Sequence, residues 1–327
     1  MTERREQKSP FEQAYAIISA LRREVNKVLI GQQAVVDQVI VALLAGGHVL
    51  IEGVPGLGKT LLVRSLAKCF SGEFSRVQFT PDLMPSDITG HAIYTMATQQ
   101  FQIRKGPVFT HLLLADEINR APAKTQAALL EVMQERQITI EGKSFLTGEP
   151  FMVLATQNPI EQEGTYPLPE AELDRFLMKI YIDYPAEEDE KALVKQITAN
   201  STSDSFQLDQ LRALVKPANI TALQRVAGTV TVDDRVLDYA VRIVRQTRDW
   251  PGIVKGAGPR GSLALVRAAK ARSLLENNNF VTPDDIKNTA LPVLRHRVML
   301  SADLEIEGAS PDRMLTDILE QVEAPRL

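Results

Sequence analysis

The sequence predicts an α/β fold, a parallel sheet flanked by helices, followed by a smaller all-α portion. Three observations predict it. Short apolar runs that read as buried strands alternate with helical patterns up to about residue 185, as a parallel sheet requires. Between one such strand and one such helix stands Gly53-Val54-Pro55-Gly56-Leu57-Gly58-Lys59-Thr60, which has the pattern G-x-x-x-x-G-K-[ST] of a phosphate-binding loop. Beyond Tyr184-Pro185 the parallel-strand signals almost vanish and four or five helices take over.

Each element follows from its residues. An opening helix is expected from about Phe11 to Val28, and a second over Ala34–Ala45, stopped by Gly46-Gly47. His48–Ile51 reads as a buried strand that feeds the glycine loop, and Leu61–Phe70 as the helix that leaves it. A strand over Arg76–Phe79 comes next. Alternating segments around Ala92–Met96 and Phe101–Arg104 then read as a hairpin spanning about 91–106. Leu112–Ala115 is a fully apolar strand and Lys124–Arg136 a helix. Ile138–Glu141 and Ser144–Leu146 flank Gly142 as a second hairpin, about 137–147. Phe151–Thr156 and Lys179–Ile182 complete the strands. In the second portion Asp233 is placed to cap a helix over Asp234–Arg248. Thr282-Pro283-Asp284-Asp285 has the form of a capping box with proline at the first helical position. The expected division is therefore residues 1–185 and 186–327.

Composition narrows the function. The apolar and charged fractions, 44% and 24%, are those of an ordinary globular chain. A net charge of −4 provides no overall field to recruit nucleic acid or anionic lipid. The single cysteine, Cys69, cannot form an internal disulfide and reads as a small core residue. Met1–Pro10 is charged and lacks the apolar centre of a signal peptide, and the longest apolar stretch, Val39–Gly47, is too short to cross a bilayer. A cytoplasmic location is expected. His48, His91, His111 and His296 are scattered without metal-ligand spacing, and no protease triad is visible.

The glycine loop lets backbone N–H groups approach phosphate oxygens, and the following helix start adds a favourable field for the anion. Lys59 can reach β- and γ-phosphates, and the hydroxyl of Thr60 can ligate Mg²⁺. Asp116-Glu117 closes the apolar strand Leu112–Ala115, at the strand end where open α/β sheets bind ligands. Asp116 is placed to hold the metal. Glu117 is suited to orient and deprotonate an attacking water. Asn158 closes another strand in Thr156-Gln157-Asn158-Pro159; its amide can bond both a γ-phosphate and a water, although Asn-Pro is also an ordinary turn. Arg175, in Leu173-Asp174-Arg175-Phe176, reads either as a surface ion pair with Glu172 or as a finger aimed at a neighbouring subunit's phosphate. Arg260 stands in a Gly256–Gly261 loop just before an expected helix over Ser262–Leu275. It reads either as an exposed loop arginine or as a phosphate contact.

Together these residues resemble an AAA+ ATPase, and within that class the MoxR family, over about residues 30–300. Ile30-Gly31-Gln32 is similar to the family's segment near adenine. Gly53–Thr60, with Leu61 following, is similar to Walker A, and Asp116-Glu117 to Walker B. Asn158 corresponds to sensor 1. Arg175 corresponds to the arginine finger of the "LPEAxLDRF" stretch, and Arg260 to sensor 2 of "GxSPR", where Gly258 replaces the usual serine. The two hairpins resemble the clade's helix-2 insert and pre-sensor-1 hairpin, which in relatives project toward a ring pore; simple sheet extension is the alternative.

The resemblance implies ATP and Mg²⁺ bound by the α/β portion, with 186–327 as a helical lid. It further implies a homo-oligomer, in the form of a hexameric ring, that remodels or activates a client protein, in some relatives one with a von Willebrand A domain. Three rivals stand beside it: a motor subunit of a metal chelatase, a nucleic-acid motor or loader, and an inert nucleotide-binding scaffold, against which an intact Glu117 speaks. The second calls for basic and aromatic residues on the hairpins, where Arg104, Lys105, Lys143, Tyr94 and Phe101 form a thin set. Nucleic acid is therefore not the expected partner.

Overall fold

The computed structural model describes residues 9–54, 56–158, 164–198 and 208–326. Its chain divides into two compact units, residues 24–221 and residues 1–23 with 222–327.

The first unit is built on five parallel strands. Helix α1 (Pro10–Asn26) leads into it, and α2 (Gln33–Leu44) precedes β1 (Val49–Glu52). The chain then runs through α3 (Lys59–Cys69), β2 (Phe74–Gln78) and α4 (Pro85–Thr89). The hairpin β3 (Gly90–Thr95) and β4 (Gln100–Lys105) follows, then β5 (Leu112–Asp116). Helix α5 (Ala123–Glu135), the hairpin β6 (Gln137–Ile140) and β7 (Lys143–Leu146), and β8 (Met152–Gln157) come next. Helix α6 (Glu170–Leu173), β9 (Met178–Tyr181) and α7 (Glu187–Thr198) close the series.

The strand order is β2-β5-β8-β1-β9. Central strands carry the most apolar sequences because both faces are covered. Leu112, Leu113, Leu114 and Ala115 of β5, like Val153, Leu154 and Ala155 of β8, are wholly buried. Leu50, Leu113, Ala115, Val153 and Ala155 pack in one core with Leu129, Leu130 and Met133 of α5. At the edge, β2 alternates instead: Arg76 and Gln78 are exposed and Val77 is buried between them. His48 belongs to this core. Its Nδ1 accepts from the Val153 N–H at 2.9 Å and its Nε2 lies 3.1 Å from Met133 O, so the ring is a structural pin between strand and helix.

The other unit is helical. After α8 (Pro217–Thr229) come α9 (Asp234–Asp249), β10 (Ile253–Lys255), α10 (Pro259–Leu275) and α11 (Pro283–Leu294). Strand β11 (Met299–Leu300), α12 (Ala302–Ile306) and α13 (Pro311–Gln321) end the chain. Tyr239, Ile243, Leu265, Ala269, Ile286, Val293 and Ile318 from four of these helices are wholly buried. Helix starts follow capping chemistry. The Asp233 carboxylate accepts from the Arg235 N–H, and Thr282 and Asp285 form the reciprocal box in which each side chain accepts from the other's backbone N–H.

Three expectations are corrected. Residues beyond 186 hold seven α-helices, α7 to α13, among the described residues rather than four or five, because short pieces such as α12 carry too little periodicity to register. They also hold a two-stranded antiparallel piece, β10 with β11. Helix α10 begins at Pro259, not Ser262: proline's fixed φ suits the first helical turn and Gly258 stands outside it as N-cap. Arg260 is therefore the second residue of that helix and not a loop residue.

Candidate functional site

The parallel register sets the carboxyl-terminal edge of the sheet. Gln78 pairs with Asp116 and Ile51 with Thr156, while Glu52 pairs with Gln157 one step further on. The residues that leave these strands, Gly53, Glu117 and Asn158, therefore emerge from the same edge, as ligand sites in open α/β sheets do.

The loop after β1 is shaped by glycine. A Cβ on Gly53 would stand 2.5 Å from the carbonyl oxygen of Ile182, so only glycine lets the chain pass the end of β9. Gly56 and Gly58 have φ of +87° and +80°, the left-handed region that favours glycine. A Cβ on Gly56 would meet nothing within 4 Å, so the loop is open on that side. Val54 and Leu57 are half-buried, and Leu61 is buried in the first turn of α3. Pro55 lies outside the described residues.

Lys59, the first residue of α3, folds back and donates from Nζ to Gly53 O at 2.6 Å. Burial pushes its pKa below the ordinary lysine value, while the nearby charges of Asp116, Glu117 and Glu52 pull it back up. One ammonium thus sits within the field of three carboxylates. Thr60 follows on α3.

Asp116 and Glu117 are held by a polar network. Thr156 Oγ1 donates to Asp116 Oδ1 at 2.6 Å and accepts from the Glu117 N–H at 2.8 Å. Arg76 on β2 donates from Nη2 and Nε to Asp116 Oδ2, at 2.6 and 3.2 Å. Gln78 Nε2 donates to Glu117 Oε2 at 2.7 Å, and Arg120 Nη1 donates to the same oxygen at 3.0 Å. Glu117 itself has φ 55° and ψ 52°, a left-handed conformation. Asn158, one residue past β8, is buried at 7% exposure.

The segment Ile30-Gly31-Gln32 packs on the chain that leaves β9. A Cβ on Gly31, with φ +77°, would stand 2.8 Å from Asp189 Cβ and 2.9 Å from Pro185 Cβ. Gln32 Nε2 donates to Asp183 O at 2.8 Å. Ile30 is half-buried, and the neighbouring Leu29 reaches within 3.6 Å of where a Gly58 Cβ would stand, which brings this segment beside the glycine loop.

Arg175 is half-buried. Its Nη1 donates to Leu130 O at 2.9 Å, and its Nε lies 3.0 Å from Glu172 Oε2, so the ion pair expected from the sequence forms. Arg260 is exposed in the other unit, in the first turn of α10. Its neighbour Gly258 has open space where a serine side chain would go.

Four residues of the network lay outside the sequence reading: Arg76, Gln78, Thr156 and Arg120. Alternation along β2 puts Arg76 and Gln78 on one face, but that β2 lies beside β5 is a fact of strand order that no local pattern carries. Among the described residues no cluster of three or more His, Cys, Asp or Glu could hold a metal by itself, and no helix is long and apolar enough to cross a membrane. The oxygen donors present, the Thr60 hydroxyl and the Asp116 carboxylate, suit a hard cation that keeps part of its water and phosphate shell.

Comparison with known proteins agrees with this geometry. Residues 48–178 match the "ATPase family associated with various cellular activities (AAA)", and residues 245–318 match the "AAA lid domain". The chain is 42% identical to Chaperone MoxR1 of Mycobacterium tuberculosis over 315 residues, covering 93% of this chain and 81% of the relative. It is likewise 42% identical to protein YeaC of Bacillus subtilis, with 96% and 97% covered. It is 31% identical to Protein MoxR of Methylorubrum extorquens, with 93% and 94% covered. A crystal structure of a candidate ATPase from Cytophaga hutchinsonii superposes with a TM-score of 0.89 at 40% identity, covering 97% of both chains. With a parallel sheet, a helical second region and these relatives along nearly its full length, the chain belongs to the MoxR family of AAA+ ATPases.

Proposed function

We propose that this chain binds ATP with Mg²⁺ at the loop after β1 and hydrolyses it, and that the cycle drives remodelling or activation of a client protein. The observation that supports this most is the convergence on Lys59: one half-buried ammonium with the charges of Asp116 and Glu117 around it, at the mouth of an open glycine loop. Backbone N–H groups of Gly56 to Thr60 and the start of α3 would cradle the phosphates, with Ile30 and Gly31 toward the base. Thr60 and Asp116 would hold the metal, which when bound supplies positive charge between the terminal phosphates.

In this reading Glu117 is the base that takes a proton from water for in-line attack. Gln78 and Arg120 both bind its Oε2, which leaves Oε1 as the oxygen to face that water. Asn158 orients the water and the γ-phosphate. Lys59 offsets charge that develops in the transition state, and Arg260 does so at the site of its own subunit or of a neighbour. Arg175 supplies the same help to the site of a neighbouring subunit, which requires a ring, a hexamer by family resemblance. The residues from 1 to 185 then act as the nucleotide-binding part and those from 186 to 327 as its lid. The name of the M. tuberculosis relative supports a chaperone-like output.

The test is nucleotide binding and turnover in wild type and Lys59→Ala. The proposal predicts Mg²⁺-dependent ATP turnover in the first and loss of ATP binding in the second; ordinary ATP affinity in Lys59→Ala contradicts it. Turnover stimulated by DNA would point instead to a nucleic-acid motor.

A further inference from the structure

We propose that Arg76 occupies the side of Asp116 that a metal would take, and that a divalent metal must displace it. The proposal rests on the reading of Asp116 as a metal ligand. Its own basis is the guanidinium on β2. Nη2 lies 2.6 Å from Asp116 Oδ2 and Nε 3.2 Å from the same oxygen, so two N–H groups converge on one carboxylate oxygen. The other oxygen, Oδ1, accepts from Thr156 Oγ1 at 2.6 Å. Oδ2 is thus the oxygen left for a metal or its water shell, and Arg76 covers it.

Two features make Arg76 removable rather than structural. Its side chain is 48% exposed against 16% for Asp116, so it can swing into water while the carboxylate stays. It also comes from the edge strand β2. A further bond, from Nη2 to Gln78 Oε1 at 3.1 Å, steadies the guanidinium over the carboxylate. Uncovered, the Asp116 carboxylate would stand next in sequence to the like-charged Glu117; Arg76 offsets its charge until a metal does so. Charge, not shape, is what Arg76 contributes, so lysine should serve in part and neutral residues should not.

Arg76 is then a positioning residue that competes with the metal. An exposed ion pair is worth ~0.2–1 kcal/mol, so its removal should ease metal entry about 1.4- to fivefold. The experiment measures affinity for a fluorescent, non-hydrolysable ATP analogue across buffered free Mg²⁺, with far-UV circular dichroism confirming the fold. The proteins are wild type, Arg76→Met, Arg76→Gln, Arg76→Lys and Asp116→Asn. The half-saturating Mg²⁺ should fall about 1.4- to fivefold in both neutral variants and by less in Arg76→Lys. An unchanged or higher Mg²⁺ requirement in a folded neutral variant overturns the proposal. Asp116→Asn separates the two claims. If it keeps the wild-type Mg²⁺ dependence, Asp116 does not hold the metal and both readings fall; if it loses that dependence while the neutral Arg76 variants do not shift, only the placeholder fails.

Discussion

Single side chains carry the strongest expectations, because several are fixed by contacts that tolerate no substitute. Gly53→Ala would drive a methyl group to 2.5 Å from Ile182 O, a backbone atom that cannot swing aside. The expected cost is about 1–3 kcal/mol, read as a lower thermal midpoint. Gly258→Ser is the opposite case. Open space surrounds that position and its φ is −79°, so the serine usual in relatives should be accepted with no measurable change in the midpoint. The P-loop, Asp116-Glu117 and Asn158 were legible in the sequence because each closes an apolar run. Arg76 and Gln78 were not: their importance lies in which strand they face.

At the scale of an element, caps and burial decide. Thr282→Ala would remove one half of the reciprocal box that opens α11, and should lower stability by about 0.5–2 kcal/mol in denaturant titration. Cys69, near the end of α3, is buried, and burial pushes its thiol up to about 12. Its thiolate is therefore scarce, about one in 10⁴ at pH 8, and alkylation should be slow in the native protein and fast once denaturant unfolds it. Rapid native alkylation would mean that α3 opens locally. Every strand of the parallel sheet was anticipated to within two residues, the central ones because continuous apolar runs leave little choice. Short helices such as α12 were not. The sequence marks the end of α10 and not its start, because Pro259 serves equally as a loop signal and as the first residue of a helix.

For the molecule as a whole, strand order is the fact that gathers the site. The order β2-β5-β8-β1-β9 brings Gln78, Asp116 and Thr156 into one row from segments scattered over 79 residues of sequence. No periodicity announces which strands adjoin. The proposed ring belongs to this scale too. Arg175→Ala should keep ATP binding and lose about 10³–10⁵-fold in turnover, the range for a missing arginine finger. Arg175 bonds Leu130 O and pairs with Glu172 within its own chain, so a fully active Arg175→Ala would leave it a structural residue. Activity regained on mixing Arg175→Ala with Lys59→Ala subunits would indicate a site shared between neighbours. The central claim, that Glu117 is the base of an ATP-hydrolysing site, is tested most directly by incubating Glu117→Gln with ATP and Mg²⁺ and identifying the bound nucleotide after a quench. The account predicts retained, uncleaved ATP and turnover lower by about 10²–10⁴-fold; bound ADP formed at the wild-type rate would contradict it.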